Sequence, residues 1–324
     1  MTAREQASER SATGRGERLY MGIDGGGSKT LAVVVDAHGR ERGRGAAAGS
    51  NYAAIGLDRA VGNIRAAVAD ATRLAGCAPP VRAAWVGLAG VDRPADHDVL
   101  HLYLCELAGV VRLTNDAELI LSALDGTIGV AVIAGSGSIV LGRDARGDTV
   151  RAGGWGHIMG DEGSGYDVGR LGLRAVVRAD DGRGPATLLR DLVVREWSLA
   201  QPADLIGRVY PDGDKRAIAR LAPLVLQAAR AGDKVAGEIV TRGAEELALA
   251  ALTVADQLAF PAGLPLALAG GLLTHAADYR ELVLERVRRH WDVSQVAIIA
   301  HPAESAARAA INLSTSGEDD SRER

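Results

Sequence analysis

Asp24-Gly25-Gly26-Gly27-Ser28-Lys29-Thr30 is the segment whose residue types are best suited to chemistry. Three consecutive glycines let backbone amides approach a ligand that side chains would block, and a turn of this kind suits a phosphate. Gly26 and Gly27 supply the amides, Ser28, Lys29 and Thr30 offer donors and a positive charge to polyphosphate oxygens, and Asp24 can hold a hydrated Mg2+. A hairpin turn without any ligand is the plainer alternative. A P-loop needs glycine just before the lysine and leads into a helix, whereas Ser28 stands at that position and Leu31-Ala32-Val33-Val34-Val35 reads as a strand. The turn therefore joins two strands, and a dinucleotide-binding fingerprint is excluded for the same reason.

Four further places carry candidate chemistry. The turn Gly135-Ser136-Gly137-Ser138, which follows Ala134, offers hydroxyls and amides without bulky side chains and can take the other end of a nucleotide's phosphates. Gly270-Gly271-Leu272 lies after a strand, where backbone can lie flat against a planar adenosine or simply turn into a helix. Asp116 follows the strand Val110–Thr114 and projects from the carboxyl edge of a sheet, a position for a general base. Asn115 or Asp116 would also serve as a helix N-cap there, and the two roles do not exclude each other. Finally, residues Gly153 to Gly165 pack six glycines into thirteen positions, too open for a core element and best explained as a ligand loop. Within it Asp161 and Glu162 can bond sugar hydroxyls or a metal, and Trp155 and His157 can line a pocket.

The elements that must position these residues follow from apolar periodicity. Leu19 to Asp24, Leu31 to Val35 and a more polar strand through about Ala48 form a meander, with a turn at Asp36-Ala37-His38-Gly39. Leu57–Leu74 reads as a helix, Ala83–Val91 as a strand, Asp96–Ala108 as a helix and Val110–Thr114 as a strand. The pattern then returns: Val130–Ala134, a glycine turn, Ile139–Leu141 and a second turn at Asp144-Ala145-Arg146-Gly147. Two hairpins of one design imply a duplicated fold. Later come helices at Ala217–Ala231 and Val235–Leu258, a strand at Leu264–Leu268, a helix at Tyr279–Trp291, a strand at Val296–Ala300 and a helix at Ala303–Leu313. The expected organisation is a tail over 1–18, a domain over 19–122 completed by the helix 303–313, a second and more helical domain over 123–302, and a tail over 314–324.

Composition narrows the partners. At 324 residues the chain exceeds a single compact core and favours two domains of about 100–200 residues each. Lys and Arg number 37 against 41 Asp and Glu, a net charge of −4, which lacks the basic excess of a nucleic-acid or acidic-membrane binder. A small molecule is the expected partner. Cys77 and Cys105 make no Cys-x-x-Cys pair and are read as two buried thiols. The polar first eighteen residues cannot be a secretory signal, no apolar run approaches the ~20 residues of a membrane span, and the short N-terminal tail leaves no room for a DNA-binding domain. These features predict a cytoplasmic protein.

Taken together, the quoted loops resemble the actin-like ATPase superfamily, and within it the group that joins N-acetylglucosamine kinases with BadF/BcrA-type ATPases, over nearly the whole chain from Leu19 to Leu313. The segment Asp24 to Thr30 is similar to that group's first phosphate loop, Ala134 to Ser138 to its second, and Ala269-Gly270-Gly271-Leu272 to its adenosine loop. Gly153-Gly154-Trp155-Gly156-His157 with Gly160-Asp161-Glu162-Gly163-Ser164 resembles the N-acetylglucosamine kinase signature. The resemblance implies an α/β, two-domain actin-like ATPase (ribonuclease H-like) fold with duplicated mixed sheets and an interdomain cleft, use of ATP and Mg2+, and commonly a homodimer. It implies a sugar contact at Asn51 in Gly49-Ser50-Asn51-Tyr52, a catalytic base at Asp116 beside Asn115, and Ser136, Gly154 and Asp161 bordering the sugar, with Trp155 and His157 favouring its acetylated form. The expected reaction is phosphorylation of an amino sugar's 6-hydroxyl. A glucosamine kinase, or an ATPase or sugar sensor without kinase activity, is the alternative. The cysteines do not match the iron–sulfur pattern of the dehydratase activators, nor is there the clustered-cysteine motif of ROK kinases. Pro302-Ala303-Glu304-Ser305-Ala306 departs from relatives that place a glycine before the alanine.

Overall fold

Alternation of apolar residues on both faces of the first strands dictates a sheet covered on two sides, and the computed structural model, which describes residues 17–91, 93–210 and 214–319, builds it so. β1 (Leu19–Gly25), β2 (Lys29–Asp36) and β3 (Glu41–Ala48) form an antiparallel meander, and β4 (Val81–Leu88) and β5 (Ala108–Asn115) add in parallel, in the order β3-β2-β1-β4-β5. Met21, Ile23, Val34 and Val86 face the helix Leu57–Ala75 through its buried Ile64, Ala67 and Ala71. Tyr20, Val33, Val35 and Trp85 face the other side, where Ala303, Ala306, Ala307 and Ala310 of the helix Pro302–Asp319 cover them. That closing helix approaches so tightly that a Cβ added at Gly22 of β1 would stand 2.0 Å from the carbonyl oxygen of Ala303. Gly22→Ala is therefore expected to lower stability by about 2 kcal/mol, the cost of overpacking a rigid contact, read as a shifted urea midpoint.

The second unit repeats the first strand for strand. β6 (Gly129–Ala134), β7 (Ser138–Arg143) and β8 (Thr149–Gly153) form the meander, β9 (Pro265–Ala269) runs parallel to β6 and β10 (Gln295–Ile299) parallel to β9, in the order β10-β9-β6-β7-β8. The turns after the second strand of each meander are the same construction. Asp36 Oδ1 accepts from the His38 and Arg40 amides, and Asp144 Oδ1 accepts from the Arg146 and Asp148 amides. The amides of Gly39 and Gly147, both at positive φ, donate back to the carbonyls of Asp36 and Asp144. The helices Gly165–Asp180, Ala222–Arg230, Lys234–Ala255 and Ala277–Arg288 bury their apolar stripes in this unit's core.

Contacts divide the chain into one unit running to Leu119 and resuming at His301, and another over Ile120–Ala300. The break thus falls just before the 122/123 expected from sequence. Other differences have local causes. The helix expected over 217–231 is two, Lys215–Ala219 and Ala222–Arg230, because Pro223 starts the second and cannot continue the first. β4 ends at Leu88, not Val91, because Gly90 turns the chain at φ 83. The final helix continues through the segment read as a tail, from Ser314 to Asp319, since a helix already fixed against a sheet extends at little cost. Residues 1–16 and 320–324 of the two expected tails lie outside the described residues. The expectation of two buried thiols is corrected: Cys105, at the end of the helix Pro94–Leu104, is exposed and Cys77 is half-buried. Among the described residues no helix is long and apolar enough to cross a membrane.

Candidate nucleotide and sugar site

In the first unit the parallel strands β1, β4 and β5 bring their carboxyl ends to one edge. Asp24 is level with Gly87, and Gly87 with Thr114, so the residues following β5 leave the sheet about 10 Å from the end of β1, two strand spacings away. Asn115 takes the N-cap, its Oδ1 accepting from the Glu118 amide at 2.7 Å, which leaves Asp116 as the first residue of the helix Asp116–Leu121. Asp24 senses this arrangement. Burial first, and the Asp116 carboxylate second, push its carboxyl up to about 6 against the opposing pull of Lys29. A carboxyl raised by burial and by a neighbouring carboxylate at the end of a sheet suits a site for a divalent cation or a transferable proton.

The glycine turn follows Asp24 directly. Gly26 N–H donates to Lys29 O at 2.9 Å to close the turn, and Gly27, Ser28 and Lys29 are exposed while Thr30 is buried with its hydroxyl on Ala48 O. Thr30 therefore braces the loop and does not present its hydroxyl to a phosphate. Asn51 caps the short helix Tyr52–Ile55, and Gly90 packs so closely that an added Cβ would lie 2.7 Å from Asn51 Oδ1.

In the second unit the expected phosphate and sugar residues also gather, with different tasks from those expected. Gly135 N–H closes its turn on Gly137 O, and Gly135 O accepts from Gly165 N–H at 2.8 Å. Ser136 is exposed at the tip. Ser138 is turned inward: its amide donates to Asp161 Oδ1 at 3.0 Å and its hydroxyl to Glu162 O at 2.8 Å. Asp161, only 4% exposed and at φ 64, also accepts from Lys215 Nζ at 2.6 Å, so one carboxylate oxygen braces the turn and the other holds Lys215. Gly137 is obligatory here, since a Cβ would stand 2.7 Å from Asp161 Oδ1. Gly270, at φ 86, lies against Ala134 and Gly135, where a Cβ would be 2.4 Å from the Ala134 carbonyl. The loops expected to take adenosine and phosphate are thus adjacent, with Gly271 exposed and Leu272 turned into the core.

The long glycine loop is anchored from beneath by Tyr279, which is fully buried and donates to Gly163 O at 2.7 Å. Burial, then Asp167, drives its phenol pKa up, so it stays a donor. Gly154, at φ 73, lies on Ile139, with its amide on Ser138 O. His157 lines a cavity of about 330 Å3 with Glu162, Arg170, Arg242 and Glu246, whereas Trp155 stays 61% exposed beneath the Arg151 guanidinium.

A family model of the BadF/BadG/BcrA/BcrD ATPases matches residues 21–307, a span that contains every loop just described. The chain belongs to this family. Within this ATPase family's reach, the N-acetyl-D-glucosamine kinase of Dictyostelium discoideum is 30% identical over 316 residues, covering 91% of this chain and 98% of that one. The N-acetylmuramic acid/N-acetylglucosamine kinase of Clostridium acetobutylicum is 38% identical over 177 residues, 53% of this chain and 58% of that one. A solved structure from Chromobacterium violaceum, described as a candidate N-acetylglucosamine kinase, superposes with a TM-score of 0.69 at 26% identity, covering 92% of this chain and 99% of that one. The two units of common strand order are the two domains of the actin-like ATPase fold. Where a kinase uses Mg2+, the ion generally keeps most of its water and is held by nucleotide phosphates with one or two carboxylates, a demand that Asp24 with Asp116 nearby would fit.

Lys215 escaped the sequence reading altogether. It lies 54 residues from Asp161, and no motif marks it. Lys215→Met would strand a buried carboxylate beside the second glycine turn. We expect a loss of roughly 2 kcal/mol, below the usual cost of a broken buried pair because the lysine is 30% exposed. Melting of the single variant and of Lys215→Met/Asp161→Asn checks this, with the second change restoring much of the lost stability.

Proposed function

We infer that this ATP-dependent sugar kinase transfers the γ-phosphoryl group of MgATP to the 6-hydroxyl of N-acetylglucosamine, with Asp116 as general base. The observation that carries the reading is the edge shared by Asp24, Asp116, Asn51 and the first glycine turn, inside a chain alignable end to end with an N-acetyl-D-glucosamine kinase. Asp116 accepts the hydroxyl proton as the oxygen attacks the γ-phosphorus in line. The bond to the β-γ bridging oxygen breaks and ADP leaves. The exposed amides and side chains at Gly26 to Lys29, and those at Gly135 to Gly137, are assigned to the phosphates, and the backbone at Gly270-Gly271 to adenosine. Asp24 would hold the hydrated Mg2+, which would neutralise phosphate charge. Asn51 and Gly154 are assigned to the acceptor. Positioning and charge neutralisation supply most of the rate, because a loose phosphoryl transition state asks little covalent chemistry of the protein. Use of ATP supports a cytoplasmic reaction.

Phosphorus NMR of the product tests the regiochemistry. The expected spectrum correlates the new phosphate with the two protons on carbon 6, and a phosphate correlated with any other sugar position would overturn the assignment of Asp116 to the 6-hydroxyl.

A further inference from the structure

The segment that carries Asn51 and the turn that carries the phosphate-binding amides are not merely neighbours in the first unit. Ser50 N–H donates to Gly26 O at 2.9 Å. A Cβ added at Gly49 would lie 2.5 Å from Gly27 O and 2.9 Å from Ser28 N, so the backbones touch where only glycine fits. A Cβ added at Gly25 would lie 2.2 Å from Ser50 Oγ, which is buried and makes no hydrogen bond among the described residues. The hydroxyl fills the volume that any other residue at Gly25 would need. From behind, Asn63 Nδ2 donates to Gly49 O at 2.7 Å and Thr30 Oγ1 to Ala48 O at 2.8 Å. The glycine turn is thus pressed on one side by residues 48–50 and exposed on the other at Gly27 to Lys29.

We propose that Gly49 and Ser50 are positioning residues that couple acceptor binding to nucleotide binding, by transmitting the ordering of Asn51 into the first phosphate turn. This rests on the assignment of Asn51 to the sugar and of the turn to phosphate. Sugar held at Asn51 restrains residues 49–51, and because these residues interlock with Gly25 to Gly27, the amides of the turn are fixed before the nucleotide arrives. The coupling is reciprocal: nucleotide must tighten sugar by the same factor.

Calorimetric titration of the magnesium complex of a non-hydrolysable ATP analogue, with and without saturating N-acetylglucosamine, tests this on wild type, Gly49→Ala and Asn63→Ala. Sugar should tighten the analogue at least about fivefold in wild type, within the usual range for coupled sites, and less than about twofold in Gly49→Ala. Asn63→Ala, a helix-compatible change that only releases Gly49 O, should fall between and decides the matter if Gly49→Ala does not fold. Equal affinities with and without bound sugar in wild type, or the full wild-type ratio in either variant, would overturn the coupling while leaving the kinase reading intact. Failure of N-acetylglucosamine to bind in a titration without nucleotide would overturn the acceptor assignment and the coupling with it.

Discussion

Asp116→Asn should lower kcat by about a thousandfold and leave the dissociation constant for N-acetylglucosamine within about twofold of wild type. The asparagine keeps the shape and can still accept a hydrogen bond from the sugar hydroxyl, but it cannot take the proton. Asn115, not Asp116, caps the helix Asp116–Leu121, so the substitution spares the cap. A second readout separates chemistry from structure. The Asp116 carboxylate is one of the two influences that push Asp24 up to about 6, so in the variant the Asp24 carboxyl must fall toward its ordinary 3.8. A variant with near wild-type turnover would reduce Asp116 to a structural role.

Asp24→Asn should stabilise the ligand-free protein near pH 7.5 by about 3 kcal/mol while abolishing turnover. The folded carboxyl titrates at about 6 and the unfolded one at 3.8, so the native state binds its proton more tightly. The penalty is absent below about pH 4, grows between 4 and 6, and is complete above 6. The stability difference between variant and wild type should therefore vanish at pH 4 and reach its full size by pH 7.5, as measured by chemical denaturation at each pH. In wild type, magnesium–nucleotide binding should weaken as pH falls through 6, when the carboxyl takes up its proton. A pH-independent difference would show that burial and Asp116 do not set the charge state of Asp24.

Much of this was legible in the sequence because the information is local. Glycine turns between apolar strands, a carboxylate just past a strand, and the paired Asp36 and Asp144 turns are all written within a few residues. What long-range packing decides was not legible. Asp161 looked like a sugar ligand because it stands in a ligand loop, yet Lys215 and the Ser138 amide, both remote in sequence, claim its oxygens. Ser138 and Thr30 lost their expected phosphate contacts in the same way, to partners at Asp161, Glu162 and Ala48. β8 was missed because Thr149-Val150-Arg151-Ala152-Gly153 is short, polar and half-exposed, and only pairing with β7 makes it a strand. Cys105 was misjudged because a thiol's exposure depends on where a helix ends.

The most direct test of sugar phosphorylation is ADP release by the purified protein with MgATP and, in turn, N-acetylglucosamine, glucosamine, glucose or no sugar. Strong stimulation by N-acetylglucosamine over the other three is the predicted result. Preference for glucosamine would keep the chemistry and move the substrate, whereas hydrolysis indifferent to sugar, or none under any condition, would contradict the kinase account.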